Sequence, residues 1–434
     1  MAKTKRRHIA TALIRHAIAS DYAPYERILQ SLRARGDIWI VPQGEYLVWW
    51  QRRENASLSV VVSDGVCRAH TSLSDAVIER FPGEFLETPE VPIPQADFSG
   101  EVCLTIDERT EHLDLLVELL RREGILNFRV AASDAAPTPA GSSLTLARDE
   151  LESVLQAAHA NLHQQRRFFE EDFAAVRQIV ENTLAARGLP LLRVWYHPRV
   201  GGVVVRAVFS PRYDVDRAIT NLARVRALER KYAVESTFYI RAFCPFYRDD
   251  AVRELVRQPW CPEIGLHGEF VTYARRYGGE VEAALAEKAH LEELIEHPVQ
   301  GVCMHGGELT SNVSPRTVEA VEHAGFLYDT TPVRRYYFPF RRLVQGRLSQ
   351  SYCLAHALSD ISVPVGGGYA RVFYETVLAM MDEIYQQNGV FVLTLHPEYF
   401  GFWNYLLTPR NWGALASFAW RYVGRRLQRG NGTH

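Results

Sequence analysis

The sequence predicts an α/β protein whose later half is a parallel sheet or barrel, with its site at the carboxyl ends of the strands. Three observations carry that prediction. From residue 190 onward, short apolar runs alternate with helix-period segments, the pattern of repeated βαβ units. Residues 203–209 read as a buried strand, the spacing of Ile219, Leu222, Val225 and Leu228 as a helix, and residues 237–240 as the next strand. Three later strand-like segments each end in a histidine: His267 after Ile264 and Leu266, His305 after residues 299–304, and His396 after residues 389–395. In such folds reactive groups gather where strands end.

The earlier elements follow in order. Residues 25–35 read as a helix, 37–41 as a short strand, and 45–53 as a helix carrying Trp49 and Trp50. Residues 101–106 form a strand pattern, 112–123 a helix with Leu113, Leu115, Leu116, Leu119 and Leu120 inward, and 125–130 another strand. Residues 135–143 are small residues and prolines, which hold neither a helix nor a central strand, and read as a linker or long surface loop. Residues 144–187 are a long helical region, rich in Ala, Glu, Gln and Arg and broken at Gly188 and Pro190. On it His159 and His163, four apart, read as exposed helix histidines. His323, at a helix end, reads as structural. The chain thus divides into an N-terminal α/β region (1–135), a linker and helical region (136–189) and the strand–helix alternation of 190–434.

Composition narrows the function classes. The chain has 434 residues, 47% hydrophobic and 23% charged, with a formal charge of −2. That length predicts two or three domains. The near-neutral balance argues against a nucleic-acid partner, whose phosphates call for a basic excess. The first eight residues are basic, but Arg15 and His16 interrupt the apolar run that a secretory signal needs, and no transmembrane segment is present. Six cysteines show no Cys-x-x-Cys pairing, so a reducing cytoplasm is the expectation. Any membrane contact would be peripheral, through basic residues 420–429, and a solvated terminal helix is the simpler reading.

The chemistry starts at residues 212–217, where Asp214 and Asp216 stand one residue apart at a strand end. An Asp-x-Asp pair alone is a weak signal, since solvated loop aspartates are common. Its value rises with the histidines at later strand ends. In order and spacing, Asp214 and Asp216, residues 263–268, residues 301–305, residues 325–329 and residues 393–397 resemble the motif series of the polysaccharide deacetylases, the NodB-like carbohydrate esterases. The resemblance spans about residues 190–410. It implies a distorted (β/α) barrel, a divalent metal, most often zinc, and removal of acetyl groups from an N-acetylated sugar or polysaccharide precursor. It further implies that Asp214 is the general base, Asp216 and His267 are metal ligands, and His396 is the general acid.

Physical chemistry supports those roles independently. A metal lowers the pKa of water toward ~7 and polarises an acyl oxygen. A catalytic zinc needs about three protein ligands and one open position. A carboxylate off the metal must take a proton, and an acid must serve the leaving group, which suits Asp214 and His396.

The third ligand departs from the family pattern. The usual second histidine falls at Val271, which binds no metal. Either the ligand has moved or the site is degraded. The substitutes are His305, the first choice because adjacent strands converge on one rim, and Glu269. Cys303 or Met304 stands where the family often carries an arginine, and Arg212 or Arg217 could compensate by depressing the carboxylate pKa values. Asp329 could orient His396 or cap a turn. Arg217, Glu269, Asp329 and Tyr399 are candidate substrate contacts, and the aromatic stretches 336–338 and 399–405 are either a sugar-stacking wall or core.

Residues 36–50 resemble the strand and helix that usually close the carboxyl end of deacetylases in this group, yet here they precede the motifs. Either they pack onto the barrel in permuted order, or the chain derives from a tandem arrangement. Two alternatives to a deacetylase remain: a degenerate barrel binding a glycan or partner without turnover, and a hydrolase of non-sugar linear or cyclic amides.

Overall fold

The computed structural model describes residues 23–94, 98–132, 143–165, 170–217, 219, 222–257, 263–306, 312–332, 337–360, 362 and 369–397. Its centre is a ten-stranded, mostly parallel sheet. The strands are β1 (Ile38–Ile40), β2 (Ala207–Val215), β3 (Thr237–Ile240), β4 (Glu263–Gly268), β5 (Gly301–Met304), β6 (Tyr328–Asp329), β7 (Phe340–Val344), β8 (Arg347–Cys353), β9 (Leu358–Ser359) and β10 (Val390–Leu395). They lie in the order β7-β8-β6-β5-β4-β3-β2-β10-β9, with β1 also paired to β2 and only β7–β8 antiparallel. Among the described residues no pairing joins β7 to β9, so the hydrogen-bonded path has two ends.

Every residue of β2, β3, β5 and β10 is buried. Burial at every position belongs to parallel strands covered on both faces, and it encloses the polar Ser210, Arg212 and Asp214 of β2 as well as the apolar residues. Helices supply that cover: α1 (Ala23–Arg35), α2 (Gln43–Glu54), α6 (Leu222–Lys231), α7 (Asp249–Val256), α8 (Phe270–Tyr277), α9 (Glu280–Ile295), α10 (Thr317–His323) and α11 (Tyr369–Gln386). The intervening α3 (Leu113–Glu123), α4 (Arg148–Gln165) and α5 (Glu170–Ala185) pack against one another, α5 also against Ser143–Thr145, an edge strand of a small sheet centred on Cys103–Asp107, and α4 against β7; a further small sheet runs through Leu58–Ser63. The helical region expected over 144–187 is thus two helices. His323 closes α10.

The strand expected over 203–209 is split. Val203–Val204 folds back antiparallel on Arg199–Val200 across Gly201 and Gly202, both at positive φ, and Val203 is 45% exposed. Two adjacent glycines make that reversal inexpensive. The buried strand instead begins at Ala207 and runs through Val215, so Asp214 lies within the sheet and Asp216 just beyond it.

The N-terminal segment joins this sheet. β1 pairs in parallel with the start of β2, Ile38 opposite Ala207 and Ile40 opposite Phe209. Trp49 and Trp50 share a core with Val390 and Val392 of β10. At the start of α2, the Gln43 N–H donates to Thr237 Oγ1 (2.9 Å) and the Gly44 N–H to Glu263 Oε2 (2.9 Å). Thr237 and Glu263 open β3 and β4. The positive end of α2 therefore rests on a carboxylate at the edge of the sheet opposite the strand-end histidines.

Among the described residues no helix is long and apolar enough to cross a membrane. The five described cysteines are free.

Candidate metal and acid–base site

Parallel register brings the strand ends to one rim. His267 of β4 lies opposite Cys303 of β5, and the His305 N–H, one residue past β5, donates to the Gly268 carbonyl (2.8 Å). Gly306 follows at φ +78, a left-handed turn natural to glycine, which ends the strand directly behind His305.

Two ring nitrogens converge on one carboxylate. His267 Nε2 is 3.1 Å and His305 Nε2 3.3 Å from Asp216 Oδ1. One ligand atom from each of Asp216, His267 and His305 can be chosen so that all lie within 4.8 Å of one another. Ligands about 2.0–2.1 Å from a tetrahedral zinc stand about 3.3 Å apart, so this donor set fits such a cation. The outer nitrogens are engaged. His267 Nδ1–H donates to the Cys303 carbonyl (3.0 Å), and His305 Nδ1–H to Glu269 Oε1 (3.1 Å). The cluster is closed behind and open in front: His267 is buried, while the Asp216 and His305 side chains keep 22% and 27% of their exposure. An open side is what a catalytic ion needs.

A second donor group, Asp214, His267 and Cys303, is entirely buried. It suits a cation poorly. Burial drives the Cys303 thiol well above its ordinary pKa, and the Arg212 guanidinium already occupies the carboxylate, Nη2 to Asp214 Oδ2 at 3.1 Å. Burial opposes ionisation of Asp214, but the charge of Arg212, then those of His267 and His396, hold its pKa below the usual carboxylate range. Arg212 is itself anchored on Thr330, through the carbonyl (2.6 Å) and the hydroxyl (2.9 Å). The other oxygen, Asp214 Oδ1, is buried with no hydrogen-bond partner among the described residues. An ionised, unpaired carboxylate oxygen beside the cluster is a proton acceptor.

His396, one residue past β10, is the other titratable group here. Burial alone would lower its pKa. The charge and hydrogen bond of Asp360, followed by the charges of Asp216 and Asp214, outweigh that and raise it to about 10. The ring is therefore an imidazolium at neutral pH.

The remaining candidates are distributed as follows. Asp329 is not the partner of His396. Its carboxylate accepts from the Thr331 backbone N–H (2.7 Å) and hydroxyl and from Arg342, so it caps the turn after β6. Glu269 is buried with both oxygens committed, Oε1 to His305 and Oε2 to Arg241 (2.7 Å), which leaves neither for a metal or a sugar. Arg217 is half-buried, its guanidinium 5.0 Å from the centre of the Phe246 ring. Tyr337 and Phe338 are core residues, not a sugar-facing wall, and Val271 lies in the first turn of α8 without a donor atom. Tyr399, Tyr336, residues 399–405 and residues 420–429 lie outside the described residues.

Two functional candidates escaped the sequence reading, Asp360 and Arg241. Asp360 follows a two-residue strand and carries no periodic signal. Arg241 sits directly after β3, a strand-end position of the kind already used to select the histidines.

No protein-family model and no curated protein matches the sequence. Among solved structures, the chain is similar to a protein assigned as a polysaccharide deacetylase from Mycobacterium smegmatis, at 21% identity and a TM-score of 0.37, covering 50% of this chain and 84% of that one. It is also similar to an allantoinase, at 17% identity and a TM-score of 0.36 (51% and 85% covered), and to a polysaccharide deacetylase from Bacillus cereus, at 11% and 0.29 (44% and 79% covered). At these identities and scores the function rests on the geometry of the site itself, and the chain is similar, over about half its length, to polysaccharide deacetylases and an allantoinase.

Proposed function

We propose that the protein is a metal-dependent hydrolase that removes acetyl groups from an N-acetylated sugar or polysaccharide precursor. The observation that carries this reading is the convergence of Asp216, His267 and His305, accompanied by an unpartnered oxygen of Asp214 and by a charged His396 that feels the Asp214 and Asp216 carboxylates.

Asp216 Oδ1, His267 Nε2 and His305 Nε2 would hold a divalent cation, zinc being the best match to one carboxylate and two imidazoles. When bound, it supplies Lewis acidity toward a water and toward the acyl oxygen of the substrate. Asp214 Oδ1 accepts the proton of the attacking water, and Arg212 keeps that carboxylate ionised and fixed. His396 Nε2–H then protonates the leaving nitrogen, and Asp360 on Nδ1 holds the ring in that orientation. Burial of Asp214, His267 and His396 keeps bulk water from these exchanges.

The test is metal content of the purified protein beside an Asp216→Ala, His267→Ala double variant, followed by acetate release from N-acetylated oligosaccharides. About one equivalent of metal, lost in the variant together with acetate release, is expected. Absence of metal after reconstitution with zinc would sink the reading and favour a binding module without turnover. Bound metal with release only from small non-sugar amides would reassign the substrate.

A further inference from the structure

The third ligand raises a physical problem. His267 is held by packing, being 1% exposed. His305 keeps 27% of its side-chain exposure, and a ring free to turn would present either nitrogen, or neither, to the cluster. In the family pattern resembled here a second histidine would stand at Val271, on α8, whereas His305 follows a strand and borders a glycine.

We infer that Arg241 and Glu269 form a brace that locks His305, and with it the turn carrying Asp216, into ligating geometry; the inference rests on the metal-site reading above. Glu269 Oε1 accepts Nδ1–H of His305 at 3.1 Å, and a neutral imidazole that donates from Nδ1 has its lone pair on Nε2, the atom 3.3 Å from Asp216 Oδ1. Glu269 Oε2 is occupied by the fork of Arg241, with Nη2 at 2.7 Å and Nε at 3.1 Å. The third nitrogen of the fork, Nη1, donates to the backbone carbonyl of Asp216 at 3.3 Å. One guanidinium thus fixes the anchor of one ligand and the main chain of another. Further back, the Glu269 N–H donates to Glu287 Oε2 at 3.0 Å, which pins the residue from α9. Glu269 and Arg241 are 6% and 7% exposed, so the brace works in a region of low dielectric where such bonds are strong. A planar fork is required; a lysine would reach one of these acceptors but not both. Glu269 and Arg241 are positioning residues, touching neither substrate nor cation.

The experiment uses the full chain and two readouts. The ¹⁵N spectrum of selectively labelled histidine, in metal-free protein at alkaline pH, reports which nitrogen of His305 carries the proton. Competition against a chromophoric chelator reports zinc affinity. Glu269→Gln leaves one acceptor for two donors. The expected result is Nδ1-protonated His305 in the wild type, a mixture of tautomers in Glu269→Gln, and zinc affinity lower by about 10–100-fold, the usual effect of removing an outer-shell partner. An unchanged tautomer with affinity within about twofold of wild type would overturn the brace and leave the metal site standing. If wild type binds no zinc, the metal reading falls, and the tautomer comparison alone decides the brace. Should Glu269→Gln fail to fold, Arg241→Lys, which keeps the charge and loses the fork, is read in the same way.

Discussion

His396 and Asp360 are joined twice: the ring donates Nδ1–H to Asp360 Oδ1 at 2.7 Å, and the His396 backbone N–H donates to Oδ2 at 2.8 Å. Both residues are nearly buried, at 8% and 6% exposure. The bidentate arrangement fixes the ring against its own main chain, and Asp360 holds the proton on it. Burial without a directly bonded carboxylate has the opposite effect elsewhere in the fold: His356, buried with Nδ1 on the Thr330 carbonyl, has its pKa lowered to about 3 by burial and then by the charge of Arg212.

An Asp360→Asn variant should therefore lose acid catalysis from the basic side. The acid must be protonated, so activity falls as pH rises through the His396 pKa. Without Asp360 that pKa drops, and the fall should begin at lower pH. His396→Ala should reduce kcat by about 10²–10⁴-fold, the usual worth of a positioned acid. A pH–rate profile checks both. The fold has its own readout: the folded His396 pKa of about 10 lies above the ordinary 6.5, so the pair stabilises fully below about 6.5 and loses that contribution as pH rises toward 10. Urea unfolding of wild type and variant should differ by about 3 kcal/mol at pH 6 and converge near pH 10.

Arg212→Met should act on the acid side. Arg212 is the largest influence holding the Asp214 pKa down against burial, so its loss lets the carboxyl take a proton at higher pH. The acid limb of the profile should move up, while the basic limb stays where His396 sets it. Because the folded Asp214 pKa is depressed, its stabilising contribution exists above the unfolded value and disappears as pH falls through the folded one. The variant leaves a buried carboxylate and the Thr330 carbonyl without their cation, at a cost of about 3–5 kcal/mol near neutral pH. A variant with wild-type stability and an unmoved acid limb would contradict this account.

The contrast between these two pairs shows what a sequence makes legible. The strand-end rule found His267, His305 and His396 because parallel strands of alternating βαβ units deliver their last residues to one rim. Arg212 was visible as a flanking charge, two residues from Asp214 on the same face of a strand. Asp360 was not, since it meets His396 through pairing of β9 with β10, an adjacency no local pattern encodes. The same holds for β1. Its strand character was readable, but its place beside β2 depends on contacts about 170 residues apart along the chain, between Ile38 and Ala207. For Asp329 the sequence leaves turn capping and tautomer holding open, because both need the same residue at the same strand end, and only the contacts to Thr331 and Arg342 select the cap.

Gly301→Ala should test how tightly the sheet is built under the site. A Cβ at Gly301 would lie 2.1 Å from Tyr328 Cζ, and Tyr328 is held by its hydroxyl to Glu263 at 2.8 Å, so the ring has no room to retreat. Overpacking of this kind costs about 1–3 kcal/mol. Gly301 opens β5, which ends beside His305, so zinc affinity should fall along with the denaturation midpoint. Loss of stability with unaltered affinity would show that the rim is insulated from the strand beneath it.

The N-terminal segment gives the last prediction. Residues 190–434 contain every proposed ligand and proton-transfer group, yet their sheet is completed by β1 on β2 and by the start of α2 on Thr237 and Glu263. Removing residues before 190 would expose the edge of β2 at residues 207–209 and uncover the core that Val390 and Val392 share with Trp49 and Trp50. It would also strip Glu263, a buried carboxylate whose pKa is raised by burial, of one of the three donors that satisfy it. An unpaired edge and an uncovered apolar face both promote association. Residues 190–434 produced alone should therefore aggregate or lose near-ultraviolet circular dichroism, and co-production with residues 23–56 should restore it. A truncated chain that unfolds cooperatively and binds zinc as the full chain does would show that β1 and α2 are additions to a self-sufficient domain.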